Sequence, residues 1–97
     1  GSQLVYAISR NDRIFRASIA IDDSANRFGH AICRVVLLGQ DNRWSSAVKA
    51  VEIAKQDQPK SIEVDVSGAR AIGLITSSGK NGRTGDRVNW LDARMHQ

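Results

Sequence analysis

The chain is poor in the residues that most often announce a function. In 97 residues it has one cysteine, one proline and two histidines, and aromatic side chains make up only 5% of it. Cys33 stands alone, so an internal disulfide is excluded, and no second Cys or His stands at metal-ligand spacing from it. It sits in the apolar run 31–38, where a small thiol packs as a hydrophobe. A catalytic thiolate would need a base, and His30 points to the opposite face of the same run. The second histidine, His96, lies one residue from the C-terminus, so a Ser-His-Asp triad lacks a base held by packing. No apolar run approaches the roughly 20 residues of a membrane helix. No stretch of these residues reads as a signal peptide, and a targeting segment is expected to have been cut away. Gly1-Ser2 reads as a cloning scar, with residues 3–97 forming one domain.

Concentrated charge is missing as well. The net charge is +4 and the pI about 9.8. The basic residues are spread singly from Arg10 to Arg94, and only four of the fourteen are lysines. Nucleic-acid binding needs a dense positive face, so no nucleic-acid partner is expected.

What the chain has in abundance is alternation. Leu4, Tyr6 and Ile8 alternate with Val5, Ala7 and Ser9. Phe15, Ala17, Ile19 and Ile21 alternate with Arg16, Ser18, Ala20 and Asp22. Ile62, Val64 and Val66 alternate with Glu63, Asp65 and Ser67. Period two with one wet face marks antiparallel strands. Residues 33–38 are apolar on both faces, which predicts a central strand. The expected strands are 3–9, 13–22, 30–38, 43–54 with a break near Ala47, 60–66, 70–77 and 87–95. Residues 46–55 would tolerate a helix, but Val48, Val51 and Ile53 favour strand. Seven short strands separated by turns predict an all-β antiparallel sandwich. Phe15, Ile19, Ile21, Val35, Leu37, Val64, Leu74 and Trp90 should form its core.

Strand parity then sorts the connections. Consecutive antiparallel strands alternate direction, so odd connections share one end and even connections the other. The odd ones, near Asn11-Asp12, Gln40-Asp41-Asn42 and Ser67-Gly68, are short. The even ones, at 23–29, 55–59 and 78–86, are long. Long loops in a compact domain commonly bind something.

Reactive chemistry finds little support in those loops. Asp22-Asp23 could form a carboxylate pair, but adjacent strand residues diverge and cannot flank one bond. The glycine-rich stretch 79–85 has no following helix to complete a phosphate loop. Asp22, Asp23, Asp86, Asn89 and Asp92 offer oxygens, yet no Asp-x-Asp-x-Asp loop occurs. A structural calcium is conceivable and not favoured, and no cofactor is expected. Sugar recognition asks for less: planar polar side chains that bond pairs of hydroxyls, and an aromatic floor. The long loops supply Asn26, Arg27, His30, Gln56, Gln58, Lys80, Asn81, Arg83 and Asp86. Arg83 and Asp86 are the strongest pair, a fork of donors beside a strong acceptor. Asn81 and Arg27 follow. Trp90 is either a floor for a sugar or a core residue whose indole finds a partner. Trp44, after a short turn, reads as a packing residue.

Four segments also carry a family resemblance. VDVSGARAIGLIT (64–76) followed by GDRVNWLDARM (85–95) resembles the C-terminal signature of the NPCBM domain, a carbohydrate-binding module. FRASIAIDDS (15–24) resembles an earlier strand of that family ending in paired aspartates. LLGQDNRWSSA (37–47) resembles its Asp-Gly turn, with Asn42 in place of glycine; Asn also tolerates φ > 0. The resemblance implies a jelly roll of the galactose-binding-like type. It also implies a non-catalytic module for a glycan of galactose type, in a secreted or cell-surface parent. The family's N-terminal part, a strand and a glycine-rich segment with a histidine, has no counterpart here. An edge left bare in this way would favour homodimerisation through the exposed sheet edge. The competing expectation is a structural or protein–protein interaction domain that binds no sugar.

Overall fold

The computed structural model describes residues 2–22, 29–78 and 88–97, and every element in them is a strand. They are β1 (Ser2–Ala7), β2 (Ile14–Ile21), β3 (His30–Leu38), β4 (Trp44–Ser46), β5 (Val51–Ala54), β6 (Lys60–Asp65), β7 (Ala71–Ser78) and β8 (Val88–His96). One sheet runs β1-β7-β3-β4, with β5 also on β3; the other runs β6-β2-β8. All pairings are antiparallel. The expected all-β sandwich is what forms, and the doubly apolar run becomes the central strand β3.

The alternation in the sequence is the alternation of burial. Phe15, Ala17, Ile19 and Ile21 of β2 face inward and are buried, while Arg16 is exposed. They meet Ala31, Cys33 and Val35 of β3, Ile72 and Leu74 of β7, and Ile53 of β5. Two clusters result. Phe15, Ala17, Val35, Val64, Val66, Ile72 and Leu74 fill one half of the sandwich. Ile19, Ile21, Ala31, Cys33 and Ile53 fill the other. Ile62 and Trp90 are half-buried and pack against both. Leu37 and Trp90, expected in the core, therefore lie at its margin.

Segment 43–54 forms one strand position with an interruption. β4 and β5 run the same way along β3, with Val36 opposite Ser46 and Cys33 opposite Val51. Four residues, 47–50, thus face two, Arg34 and Val35. The chain bulges there while Ala47 N–H still donates to Val35 O at 2.9 Å. Both pieces keep their direction, so strand parity survives the break.

A second bulge sits on β8. Its register against β2 shifts between Arg16 and Ser18, opposite Asp92, whose φ is +52°. An uninterrupted strand starting inward at Val88 and Trp90 would next turn Asp92 and Arg94 into the core. The extra residue reverses the phase, so Met95 packs inward opposite Phe15 and Asp92 and Arg94 stay exposed.

The outermost strand of the larger sheet is unlike the rest. All six residues of β1 are exposed, including Leu4, Val5 and Tyr6 at 43%, 52% and 48%. Leu4 and Tyr6 pair with inward-facing Leu74 and Ile72, yet the three-stranded sheet does not extend over them.

Candidate functional site

The ends of the sandwich sort as parity requires. The connections 8–13, 39–43 and 66–70 meet at one end and bond to one another. Ile8 N–H donates to Arg70 O (3.0 Å), Arg70 N–H to Leu38 O (2.7 Å), Val66 N–H to Arg13 O (2.8 Å) and Gln40 Nε2 to Gly68 O (2.9 Å). At the other end lie the last residues of β2, β5 and β7 and the first of β3, β6 and β8. Segments 23–28 and 79–87 therefore leave the described strands at the same end as connection 55–59.

That second end has its own local order. Lys55 N–H donates to Gly29 O at 3.0 Å, tying the start of β3 to the end of β5. Asp57 shapes the following turn: its Oδ2 accepts from Ala54 N–H at 2.9 Å, and its own N–H returns to Ala54 O at 3.0 Å. Lys60 Nζ bonds Glu52 O at 2.7 Å and lies 3.7 Å from Asp57 Oδ2. Asn89 Nδ2 donates to Asp22 Oδ2 at 3.1 Å, which joins the mouth ends of β8 and β2. Asp22 is thus a positioned acceptor at the strand end. The pairing of Ala20 with Asn89 carries the signal for this contact, and that pairing is readable only once the register of β8 is known.

The sequence-predicted residues divide sharply. Arg83, Asp86, Asn81 and Arg27 lie outside the described residues, as do Asp23, Asn26, Phe28 and Lys80. Gln56 and Gln58 are exposed on the 55–59 connection, and His30 is half-buried at the start of β3. Trp90 stands on the inward face of β8, opposite Ile19, two residues from the strand start. Trp44 packs outside the core. Its ring lies over Gly73 on the outer face of the larger sheet, 46% exposed. A Cβ at Gly73 would come within 2.9 Å of Val36 Cγ2 and 3.4 Å of Trp44 Cζ3, so glycine there makes the seat for the indole.

The thiol of the central strand is inert. Cys33 is buried, and loss of hydration pushes its thiol up to about 11, so it stays protonated at neutral pH. Among the described residues no three His, Cys, Asp or Glu side chains gather in a way that could hold a metal ion.

Comparison with known proteins agrees with this architecture. No curated protein matches the chain significantly. A structure of the CBM51-2 and INT domains of Clostridium perfringens ZmpB superposes with a TM-score of 0.81 at 22% identity, over 96% of this chain and 20% of that one. The same CBM51-2 in complex with GlcNAc, again with INT domains, gives 0.75 at 22% identity with the same coverage. A structure of the ZmpB M60 catalytic domain with CBM51-1 and CBM51-2 gives 0.79 at 22% identity, over 96% of this chain and 9% of that one. The chain thus spans about a fifth or less of these proteins. The NPCBM/NEW2 domain family matches residues 1–96, nearly the whole chain, and the chain belongs to that family.

Proposed function

We propose that this domain is a non-catalytic carbohydrate-binding module that takes a glycan at the end where segments 23–28 and 79–87 leave the strands beside connection 55–59. The observation that carries the reading is family membership over residues 1–96. The GlcNAc complex of a neighbour with the same fold supports it. Arg83 and Asp86 are the principal contacts, a forked donor and a strong acceptor for one sugar edge. Asn81 and Arg27 add amide and guanidinium donors, and Trp90, half-buried at the core margin, offers only its uncovered part as a floor. Galactose-type sugars are the first ligands to try, with GlcNAc beside them. The parent protein is secreted or surface-attached, and the domain holds its glycan close to another domain's work.

A glycan array on the domain tests the reading, followed by titration of the best ligand into Arg83→Ala. That substitution weakens binding by about 1.5–3 kcal/mol, the worth of a hydrogen bond to a charged group, and leaves the melting temperature unchanged. An array silent for all sugars would defeat the module.

A second reading, an interaction domain joined edge to edge as a homodimer, has one observation in its favour. β1 is an edge strand with exposed Leu4, Val5 and Tyr6. Sedimentation at rising concentration decides it: a strict monomer removes this reading.

A further inference from the structure

The end of the sandwich opposite the proposed glycan site carries a groove of its own. Two adjoining hollows of about 430 and 420 Å³ lie there. One is lined by Arg10, Asn11, Asp12, Arg13, Ser67, Gly68 and Gln97, the other by residues 8–10, Gln40 and residues 68–70. Arg10 and Gly68 belong to both, so the hollows are two halves of one depression. Each falls within the roughly 300–1,000 Å³ of small-ligand sites.

Its lining side chains lean positive. Three lining side chains are arginines, Arg10, Arg13 and Arg70, and one is a carboxylate, Asp12. Asp12 is held toward its turn: its Oδ2 accepts from Ser9 N–H at 2.9 Å. The other two aspartates of this end are oriented in the same way. Asp41 Oδ1 accepts from Arg43 N–H at 3.0 Å, and Asp65 Oδ1 from Ser67 N–H at 2.9 Å. Arg70 donates to Asn42 Oδ1, and Arg13 lies in the field of Asp65. Arg10, at the centre of the groove, has no hydrogen bond or ion pair to any described residue. The carboxylates build turns, Arg70 is held by Asn42, and Arg10 is the guanidinium left facing solvent.

The floor is held in place before any ligand arrives. The turn 66–69 closes through Ala69 N–H to Val66 O at 3.0 Å, with Gly68 at φ +79° as a type II turn requires. The bonds from Ile8 to Arg70, Val66 to Arg13 and Gln40 to Gly68 fix the walls. Preorganised walls lower the entropic cost of binding. The space above Gly68 is open, with no atom within 4 Å of where a Cβ would stand.

We infer that this groove is a second saccharide site, one for acidic sugars. The ligand is a short oligosaccharide bearing a carboxylate or sulfate, its anion on Arg10 and its hydroxyls on Asn11, Gln40 and Ser67. The inference rests on the reading of the domain as a glycan module. Chemistry separates the two ends. No aromatic side chain lines the groove, so affinity here comes from charge, and it falls as salt screens the anion. A domain with sites at opposite ends can bridge two glycan chains.

The test is an NMR titration of the domain with tri-galacturonic acid, its fully methyl-esterified trimer, a sulfated disaccharide and inorganic sulfate. The acidic trimer should move the amide signals of Arg10, Gly68 and Arg70, and the esterified trimer should not. The sulfated disaccharide decides whether the anion is read as carboxylate or as any oxyanion. Arg10→Gln should lower affinity about tenfold, the lower end of a charge-assisted hydrogen bond; Arg70→Gln, on the other wall and held by Asn42, should lower it less. Both should leave the unliganded spectrum of the core unchanged. Silence at millimolar trimer overturns the inference. So does an equal response to the ester, or equal affinity for inorganic sulfate. Neutral glycans are scored separately on the signals of Gln56 and Asn89, so a silent groove beside a responsive far end removes this site and leaves the module reading. The reverse result keeps the groove and removes the site proposed at the far end.

Discussion

The two ends of this sandwich solve the same problem differently. At one end the connections are short, and each is shaped by an aspartate in it or just before it whose side chain accepts from a backbone N–H: Asp12, Asp41 and Asp65. Asn42 and Gly68 there adopt the positive φ that the turns demand, +63° and +79°. The turns also bond across to one another. At the other end connection 55–59, the one wholly within the described residues, has this character through Asp57. Short connections commit their residues to conformation, one aspartate to each turn. The groove of arginines shows that even the committed end has polar groups to spare.

The largest effects should test whether the two halves are one cooperative unit. Leu74 packs in the half nearer the short turns and Ile53 in the other. Leu74→Ala and Ile53→Ala should each cost about 2–5 kcal/mol, with one transition in urea for both. Two separated transitions in either variant would break the picture of a shared core joined by Ile62 and Trp90.

Turn substitutions should sharpen the contrast between ends. Gly68→Ala meets no clash, so its cost is the left-handed conformation alone, about 1–2 kcal/mol. Gln58→Ala on connection 55–59 should stay within about 0.5 kcal/mol. Equal costs in thermal unfolding would erase the distinction.

Smaller still is the acid response of the short-turn end. The Ser67 N–H bond, foremost, holds the Asp65 carboxyl below its ordinary 3.8. A carboxyl with a lowered folded pKa stabilises fully above its unfolded value. That contribution is lost as pH falls through the folded one. Asp65→Asn should therefore lower stability slightly at pH 7, where the charged bond is fully present, match the parent once pH has fallen through the folded pKa, and so flatten the profile below about pH 4. A profile unchanged by the substitution would show that the bond does not couple to folding. The exposed Arg16–Glu63 pair, at 2.8 Å, should contribute least, under about 1 kcal/mol in a double-mutant cycle.

Most of the fold was legible in the sequence, because half-buried strands must alternate. β2 and β6 read directly, and the doubly apolar run gave away β3 as central. What escaped were breaks in phase. On β8, Val88 and Trp90 obey one phase and Met95 the other, and a period-two scan passes over the change at Asp92. Trp44 escaped for a different reason. Its place over Gly73 depends on which residue of a distant strand lies opposite, and alternation says nothing about that. The candidate site was legible as an end and not as a set of contacts. Parity fixed where the long connections gather, but no periodicity governs the conformation of a polar loop.

The wetness of β1 on both faces makes it the hem of the fabric. It buries no side chain fully, so its hydrogen bonds to β7 can open without disturbing either cluster. Amide deuteration would run fast along Ser2–Ala7 and on the β7 amides that face it, and slowly through β2 and β3. A strand that detaches so cheaply, on the tether of residues 8–13, can also find the matching place on another molecule and be traded between them.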